Sequence, residues 1–183
     1  MLKGGIYMDA HDQTCWQSNG TKEYHAYFGT PTHNDHILFE LLTVGVFQVG
    51  LSWQAAASKL PVYRRVFAGM DIAKVAAFDQ ADIERIAAEP AMIRNPQKIR
   101  ATVTNARAIL AVQHEFGSFA AYLWQFVNQV PLLIKYQAPE DVDHQAPLTT
   151  KVAKDMKRRG FKYVGPIVTH MFMRAAGIVQ VMD

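Results

Sequence analysis

Apolar residues recur at intervals of three and four along most of the chain, which is typical of helices that bury one face. No stretch of more than a few residues alternates apolar and polar side chains as a half-buried strand does. The pattern therefore predicts an all-α architecture.

Capping side chains mark the predicted helix starts in the first half of the chain. The first helix should begin at Asn34–Asp35, and Ser52, which follows a break at Gly50, should open a helix that continues to Val66. Asp71 and Asp79 each precede a short apolar run. Residues 1–32 show no helical period and are predicted to form an irregular N-terminal segment.

Two prolines divide the helices in the middle of the chain. Pro90 and Pro96, with Asn95 between them, indicate a tight helix-turn-helix hairpin over about residues 80–112. Its second helix should run from about Gln97 to Gly117. Further predicted elements are a helix over 118–127, a surface loop over 137–147, a basic helix over 149–159 and a final helix over 166–177.

The composition is that of one compact globular domain over residues 1–183. Half of the 183 residues are hydrophobic and 19% are charged, which excludes an intrinsically disordered chain. No apolar run is long enough to cross a bilayer, and the first residues lack the apolar stretch of a secretory signal, so we expect a cytoplasmic protein. The one cysteine, Cys15, cannot form an internal disulfide.

Positive charge is concentrated in the second half of the chain. Residues 1–90 carry a net charge of −3 and residues 91–183 a net charge of +6. Two interpretations stay open, because such residues can bind a polyanion or simply lie on solvated helix faces. The two densest groups are Lys151, Lys154, Lys157, Arg158, Arg159 and Lys162, and Arg94, Lys98, Arg100 and Arg107.

Common catalytic motifs are absent, whereas aromatic residues cluster outside the helix cores. There is no G-x-S-x-G, H-E-x-x-H, P-loop or dinucleotide-binding motif. The rings can form the floor of a site for a flat heterocycle, as in enzymes that extrude a nucleobase, or they can pack the N-terminal segment onto the helices. They are Trp16, Tyr24, Tyr27, Phe28, Phe47 and Trp53.

Four segments together resemble the DNA-3-methyladenine glycosylase I family of the helix-hairpin-helix superfamily. They match the family in order and separation from about Cys15 to Gly177. Any one segment is a weak signal, but the set is highly specific. The segments are residues 48–53 (QVGLSW), residues 93–108, which carry IRN, KI and NARA, residues 123–128 (LWQFVN) and residues 157–165 (KRRGFKYVG).

The resemblance implies a monofunctional DNA glycosylase of the base-excision repair pathway. It implies that the enzyme flips an alkylated purine out of duplex DNA and that water then displaces the base from the sugar. Ring faces would favour the cationic methylated base through cation–π attraction. The implied base pocket contains Trp53 and Tyr24, with Trp16 and Phe28 at or near two further aromatic positions and Phe47, Gly45 and Gln48 beside them.

The implied DNA-binding residues are Arg94, Asn95, Lys98, Lys157, Arg158, Arg159 and Lys162. We expect Lys98 to contact a phosphate rather than to act as a Schiff-base nucleophile. The expected partner is duplex DNA, and we expect a monomer.

The sequence departs from the family at the glutamate that reads the edge of the bound base. That position lies seven residues before Ser52 and is Gly45 here. Glu40 lies about 140° around the same predicted helix and is a poor substitute. Either the specificity differs or excision is weak or lost, so the alternative is a catalytically weak or inactive homologue that binds DNA or a nucleobase.

The family's structural zinc is the second departure. The resemblance implies two Cys and two His ligands, of which Cys15 and His25 match the N-terminal pair. Residues 178–183 supply no Cys or His. With two ligands left we expect no structural zinc, and we expect no other cofactor.

Overall fold

The computed structural model describes residues 18–135 and 146–182. This part of the chain contains ten α-helices and one small sheet, which confirms the all-α prediction. Trp16, Cys15 and most of the predicted loop at 137–147 lie outside the described residues. The helices are α1 (Asn19–Tyr27), α2 (Asp35–Gln48), α3 (Trp53–Ala57), α4 (Leu60–Val66), α5 (Ile72–Ala76), α6 (Gln80–Ala87), α7 (Pro96–Phe116), α8 (Phe119–Trp124), α9 (Pro147–Arg158) and α10 (Pro166–Ala175).

The predicted caps are present at the helix starts. The Asn34 side chain accepts a hydrogen bond from the backbone N–H of Ile37, and the Ser52 hydroxyl accepts one from Ala55, both at 3.1 Å. Asp71 and Asp79 cap α5 and α6 in the same way. The helix predicted from Ser52 to Val66 is divided into α3 and α4, because Pro61 has no N–H to continue the helical ladder.

Residues 1–32 are not irregular throughout, because α1 lies within them. Ser18 caps α1, and the helix buries only Gly20, Thr21 and Tyr24. A Cβ at Gly20 would lie 2.5 Å from the carbonyl oxygen of Ala57, so α1 packs in direct contact with the end of α3. This contact depends on tertiary packing, which explains why the local sequence pattern does not indicate a helix.

Helices α6 and α7 form the predicted hairpin. The Asn95 side chain accepts a hydrogen bond from the Lys98 N–H at 3.1 Å and begins α7, and Gly117, with a φ of 90°, ends it. Helix α7 packs against α2, α5, α6 and α8. Helix α2 is buried from Leu38 to Phe47, so it forms the centre of the core.

A two-stranded parallel sheet, which the sequence pattern does not predict, lies near the C-terminal helix. Strand β1 (Leu132–Lys135) pairs with β2 (Val179–Met182), with Leu132 opposite Val179. Each strand has four residues, too few for a recognisable alternation. Among the described residues, no helix combines the length and apolarity that a membrane span requires.

Candidate functional site

Aromatic side chains from α1 and α3 line a cleft of about 240 Å³, closed on one side by Met171 of α10. We call it the aromatic cleft. The Tyr24 and Trp53 ring centroids are 5.9 Å apart, with the ring planes at 33°. At this separation the two rings pack directly on each other, so together they form one aromatic wall of the cleft, against which a flat heterocycle can stack. Its lining residues are Tyr24, His25, Phe28, Trp53 and Met171.

The packing of α1 on α3 holds the two rings of the aromatic cleft in place. Gly20 allows the close contact, and the Thr21 hydroxyl donates a hydrogen bond of 3.4 Å to the carbonyl of Gln54. Tyr24 is 4% exposed, and burial raises the pKa of its hydroxyl above the usual value. Tyr24 therefore stays neutral at physiological pH.

A second cleft, of about 370 Å³, lies beside the first and shares Met171 with it. We call it the Gly45 cleft. Gly45 and Gln48 of α2 face Ile167 and Val168 of α10 across it. Val49 and Gly50, at its rim, are exposed.

The carboxylate of Glu40, on the same helix as Gly45, is occupied by Arg64. Arg64 donates hydrogen bonds of 2.6 and 2.9 Å to the two Glu40 oxygens and binds Glu23 as well. Hydrogen bonding to Glu40 and Glu23 raises the pKa of Arg64. Glu40 is 3% exposed and is committed to the core, which agrees with its exclusion as a substitute for the family glutamate.

Three positively charged side chains line a groove of about 540 Å³ between α7 and the loop after α9. We call it the basic groove, and its charged residues are Arg100, Lys157 and Lys162. The Asn105 side chain fixes this loop, because it accepts a hydrogen bond of 2.7 Å from the Lys162 N–H and donates one of 3.1 Å to the Lys162 carbonyl. Tyr163, the next residue, has a φ of 58°, which a non-glycine residue seldom adopts.

Comparisons with known proteins show the family to which this fold belongs. A family model described as methyladenine glycosylase matches residues 14–182. The chain belongs to the methyladenine glycosylase family. It is 34% identical over 153 residues to DNA-3-methyladenine glycosylase 1 of Escherichia coli strain K12, covering 84% of this chain and 82% of that protein.

Two further relatives support membership of the methyladenine glycosylase family. The DNA-3-methyladenine glycosylase of Haemophilus influenzae is 30% identical over 175 residues, covering 96% of this chain and 88% of that protein. The structure of 3-methyladenine DNA glycosylase I from Staphylococcus aureus, solved to explain 3-methyladenine recognition, superposes with a TM-score of 0.82. It is 30% identical, and the match covers 89% of this chain and 87% of that chain.

Trp16 lies outside the described residues, and the other six residues predicted for the base pocket of this family member divide into three groups. Tyr24, Phe28 and Trp53 line the aromatic cleft, and Gly45 and Gln48 line the Gly45 cleft. Phe47 lines neither, because it is fully buried and stacks on Tyr63 with 5.0 Å between ring centroids. Phe47 is a core residue, and its assignment to the pocket is wrong.

Lys98 is buried in the fold, although the sequence leads us to expect it to contact a phosphate on the DNA-facing surface. It is 5% exposed, and its ammonium donates hydrogen bonds to the carbonyls of Phe47, at 3.0 Å, and Val49. Burial lowers its pKa. Lys98 therefore joins α7 to the C-terminal end of α2 instead of contacting a phosphate.

Arg159 is also used within the fold. Its guanidinium donates hydrogen bonds of 2.6 Å to Glu115 and 2.8 Å to Asp155, and it lies over the Phe116 and Tyr122 rings. The Asn95 side chain caps α7, whereas its predicted role was DNA contact. Arg94, Lys157, Arg158 and Lys162 are exposed, as the prediction requires.

Three residues of the candidate site are not predicted from the sequence: two that line the aromatic cleft and one cation of the basic groove. Met171 joins the two clefts, and nothing in its local sequence indicates this. His25 faces the aromatic cleft and stacks on Trp53 with 6.3 Å between ring centroids. Arg100 belongs to a basic group in the sequence, but charge alone does not show that it shares a groove with Lys157 and Lys162.

The described residues do not fit a structural zinc site. Within residues 18–135 and 146–182, no three Cys, His, Asp or Glu side chains lie close enough to hold a metal ion. His25 is stacked on Trp53. Beyond Gly177, where the resemblance implies the C-terminal ligand pair, β2 (Val179–Met182) carries no Cys or His.

Proposed function

We propose that this chain is a DNA glycosylase that releases an alkylated purine of the 3-methyladenine type from duplex DNA. One observation carries the proposal: in a fold of the methyladenine glycosylase family, an aromatic cleft sized for a flat base is present together with an exposed basic groove. The cleft provides ring faces for an extruded base, and the groove provides cations for the phosphates.

The aromatic cleft would act by holding the base and its sugar in a reactive pose. A purine stacked against Tyr24 and Trp53 gains stacking energy, and a cationic alkylated purine gains cation–π attraction from the same rings. Such a base is already a good leaving group, so water can replace it at the sugar carbon without a protein nucleophile. The base departs with the electrons of the N-glycosidic bond, and the water loses a proton.

Lys98 supports a monofunctional mechanism. A bifunctional enzyme needs an amine that can reach the sugar, and the Lys98 ammonium is bonded to the Phe47 and Val49 carbonyls. Hydrolysis by water therefore fits this site better than a Schiff base. The absence of a metal or other cofactor, the monomeric state and the cytoplasmic location stay predictions.

The experiment is to incubate the purified chain with duplex DNA that carries 3-methyladenine and to measure the free base by chromatography. We expect release above the spontaneous rate, and we expect Trp53→Ala to abolish most of it. The control is Trp124→Phe, a change in a buried core ring outside the cleft that also removes the indole hydrogen bond to the Thr32 carbonyl. Both variants should be checked for folding by circular dichroism.

The second candidate function is that of a binding protein that recognises the base without excising it. It is favoured by Gly45, which leaves α2 without a carboxylate in either cleft, since Glu40 is bonded to Arg64. Salt-sensitive binding of alkylated duplex without base release would favour this candidate. No DNA binding at low salt would exclude both functions.

A further inference from the structure

The aromatic cleft and the Gly45 cleft are neighbours that meet at one side chain. Met171 lines both of them. A methionine side chain is unbranched and adapts easily to a ligand, so it can lie against two parts of one molecule. A base seated in the aromatic cleft would therefore have Met171 on one side and the Gly45 cleft beyond it.

Nothing in the packing or the backbone requires glycine at position 45. A Cβ there would meet only Val168 Cγ1, at 3.5 Å, which is ordinary van der Waals contact. Gly45 also lies inside α2 with no left-handed φ. Since glycine weakens a helix interior relative to alanine, the glycine at this position brings no structural benefit. Its visible effect is to leave space open beside Met171.

Gly20 differs from Gly45, because helix packing does require a glycine there. At Gly20 an added Cβ would lie 2.5 Å from the Ala57 carbonyl oxygen, so helix packing explains that glycine fully. The contrast indicates that Gly45 serves the cleft rather than the core.

The lining of the Gly45 cleft is apolar and uncharged. Ile167, Val168 and Met171 supply hydrocarbon and thioether surface, and Gln48 supplies an amide. Among the described residues that line the cleft none is charged. An apolar group would therefore gain by burial there, whereas an ionic or strongly hydrated group would lose solvation without a charged partner.

We propose that the Gly45 cleft receives the alkyl substituent of a purine held in the aromatic cleft, so that the substrate class of this chain is purines with alkyl groups larger than methyl. The proposal rests on the proposed function and names its substrate more closely. The purine ring stacks against the aromatic wall formed by Tyr24 and Trp53, and the alkyl chain passes Met171 toward Gly45. The bond that breaks stays the N-glycosidic bond.

The test measures binding of free bases by isothermal titration calorimetry, with 3-methyl-, 3-ethyl-, 3-propyl- and 3-benzyladenine as probes. We expect affinity to rise about fourfold with each added methylene as apolar surface is buried. Equal affinities across the series, or affinities that fall with chain length, would overturn the proposal. This arm uses the unmodified protein and does not depend on a variant.

Substitutions at position 45 test whether the Gly45 cleft is the place where the alkyl group binds. Gly45→Leu should reverse the preference, lowering the benzyl-to-methyl affinity ratio at least tenfold, and Gly45→Ala should lower it only slightly. An unchanged ratio in a folded Gly45→Leu protein would place the alkyl group elsewhere and would also overturn the proposal.

Base release from DNA that carries 3-methyladenine, measured in parallel, separates the two claims. Release without a preference for longer chains defeats this inference and leaves the proposed function intact. If the protein shows no base binding and no base release, the proposed function itself is wrong.

Discussion

The Lys98 ammonium donates a hydrogen bond of 3.0 Å to the backbone carbonyl of Phe47, across a sequence separation of 51 residues. The carbonyl belongs to the last turn of α2, where the helix dipole is negative. A second bond to the Val49 carbonyl places the same cation at the start of the loop that leads to Trp53. The hairpin is thereby joined to the backbone that supports the candidate site.

We predict that Lys98→Met destabilises the protein by about 1–3 kcal/mol, because it leaves the buried Phe47 carbonyl and the partly buried Val49 carbonyl without their donor. The free energy of unfolding, measured by urea denaturation, checks this. Lys74→Met, at an exposed lysine of α5, is the control and should change stability by less than about 0.5 kcal/mol. Equal effects of the two substitutions would contradict the structural role of Lys98.

We predict that Gly20→Ala destabilises the protein by about 1–3 kcal/mol, because the new methyl group would overlap the Ala57 carbonyl and force α1 away from α3. The same displacement separates Tyr24 from Trp53, so affinity for free 3-methyladenine should fall as well. Gly165→Ala is the matched control, since a Cβ there meets nothing within 4 Å and the backbone φ is −62°. A stable Gly20→Ala protein with unchanged affinity would refute the packing argument.

Substitutions of Trp53 and Phe47 should have different effects, the first on base binding and the second on the stability of the protein. Trp53 is half-buried at the aromatic cleft, and we expect Trp53→Ala to weaken base binding about tenfold or more while most of the stability remains. Phe47 is fully buried against Tyr63, and we expect Phe47→Ala to lower the free energy of unfolding by about 3–5 kcal/mol. Calorimetric binding and thermal unfolding of both variants check this. If Trp53→Ala mainly lowered the stability and Phe47→Ala mainly weakened base binding, the roles assigned to the two residues would be wrong.

Asp155 should make the stability of the protein depend on pH in the acid range. Burial by itself raises the pKa of Asp155, but hydrogen bonds from Arg158, Arg159 and Tyr122 outweigh it and lower the pKa from 3.8 to about 2. Because the folded-state pKa is depressed, the stabilisation is complete above pH 3.8 and is lost as the pH falls toward 2.

We predict that Asp155→Asn lowers the free energy of unfolding by about 1–2 kcal/mol at neutral pH, after allowance for solvent screening. The difference from the unmodified protein should shrink between pH 4 and pH 2, as urea denaturation at a series of pH values would show. Asp71→Asn is the control, because it removes a negative charge at an exposed helix cap, away from the hydrogen bonds that Asp155 accepts. A difference that does not change with pH would exclude Asp155 as the titrating group.

Much of the fold could be predicted because its signals are local. Asn34, Ser52, Asp71 and Asp79 cap helices through their own side chains, and Gly117 ends α7, so each position carries its signal in the sequence. Helix α1 and the sheet could not be predicted, because both depend on partners distant in sequence. A polar nine-residue helix and two four-residue strands have too little periodicity of their own.

The candidate site could be predicted less completely, because sequence shows charge and aromaticity but not burial. Trp53 and Tyr24 line the cleft as expected, whereas Phe47, Lys98 and Arg159 are used inside the fold. Thr102 and Asn105, at intervals of four and three after Lys98, are polar, so the pattern does not show that this face of α7 is buried. Arg159 gives no signal either, because its partner Glu115 lies on another helix.

The basic groove yields a final prediction about DNA binding. Lys157 and Lys162 are exposed in the groove, and each phosphate that they neutralise would release condensed counterions. Changing either lysine to Gln should therefore reduce the slope of log affinity against log salt concentration by about 1, with a uniform loss across DNA sequences. Fluorescence anisotropy with a labelled duplex at four salt concentrations measures the slope. Lys74→Gln removes the same charge outside the groove and should leave the slope unchanged. If all three variants shift the slope equally, the effect reflects net charge and the groove does not hold the phosphates.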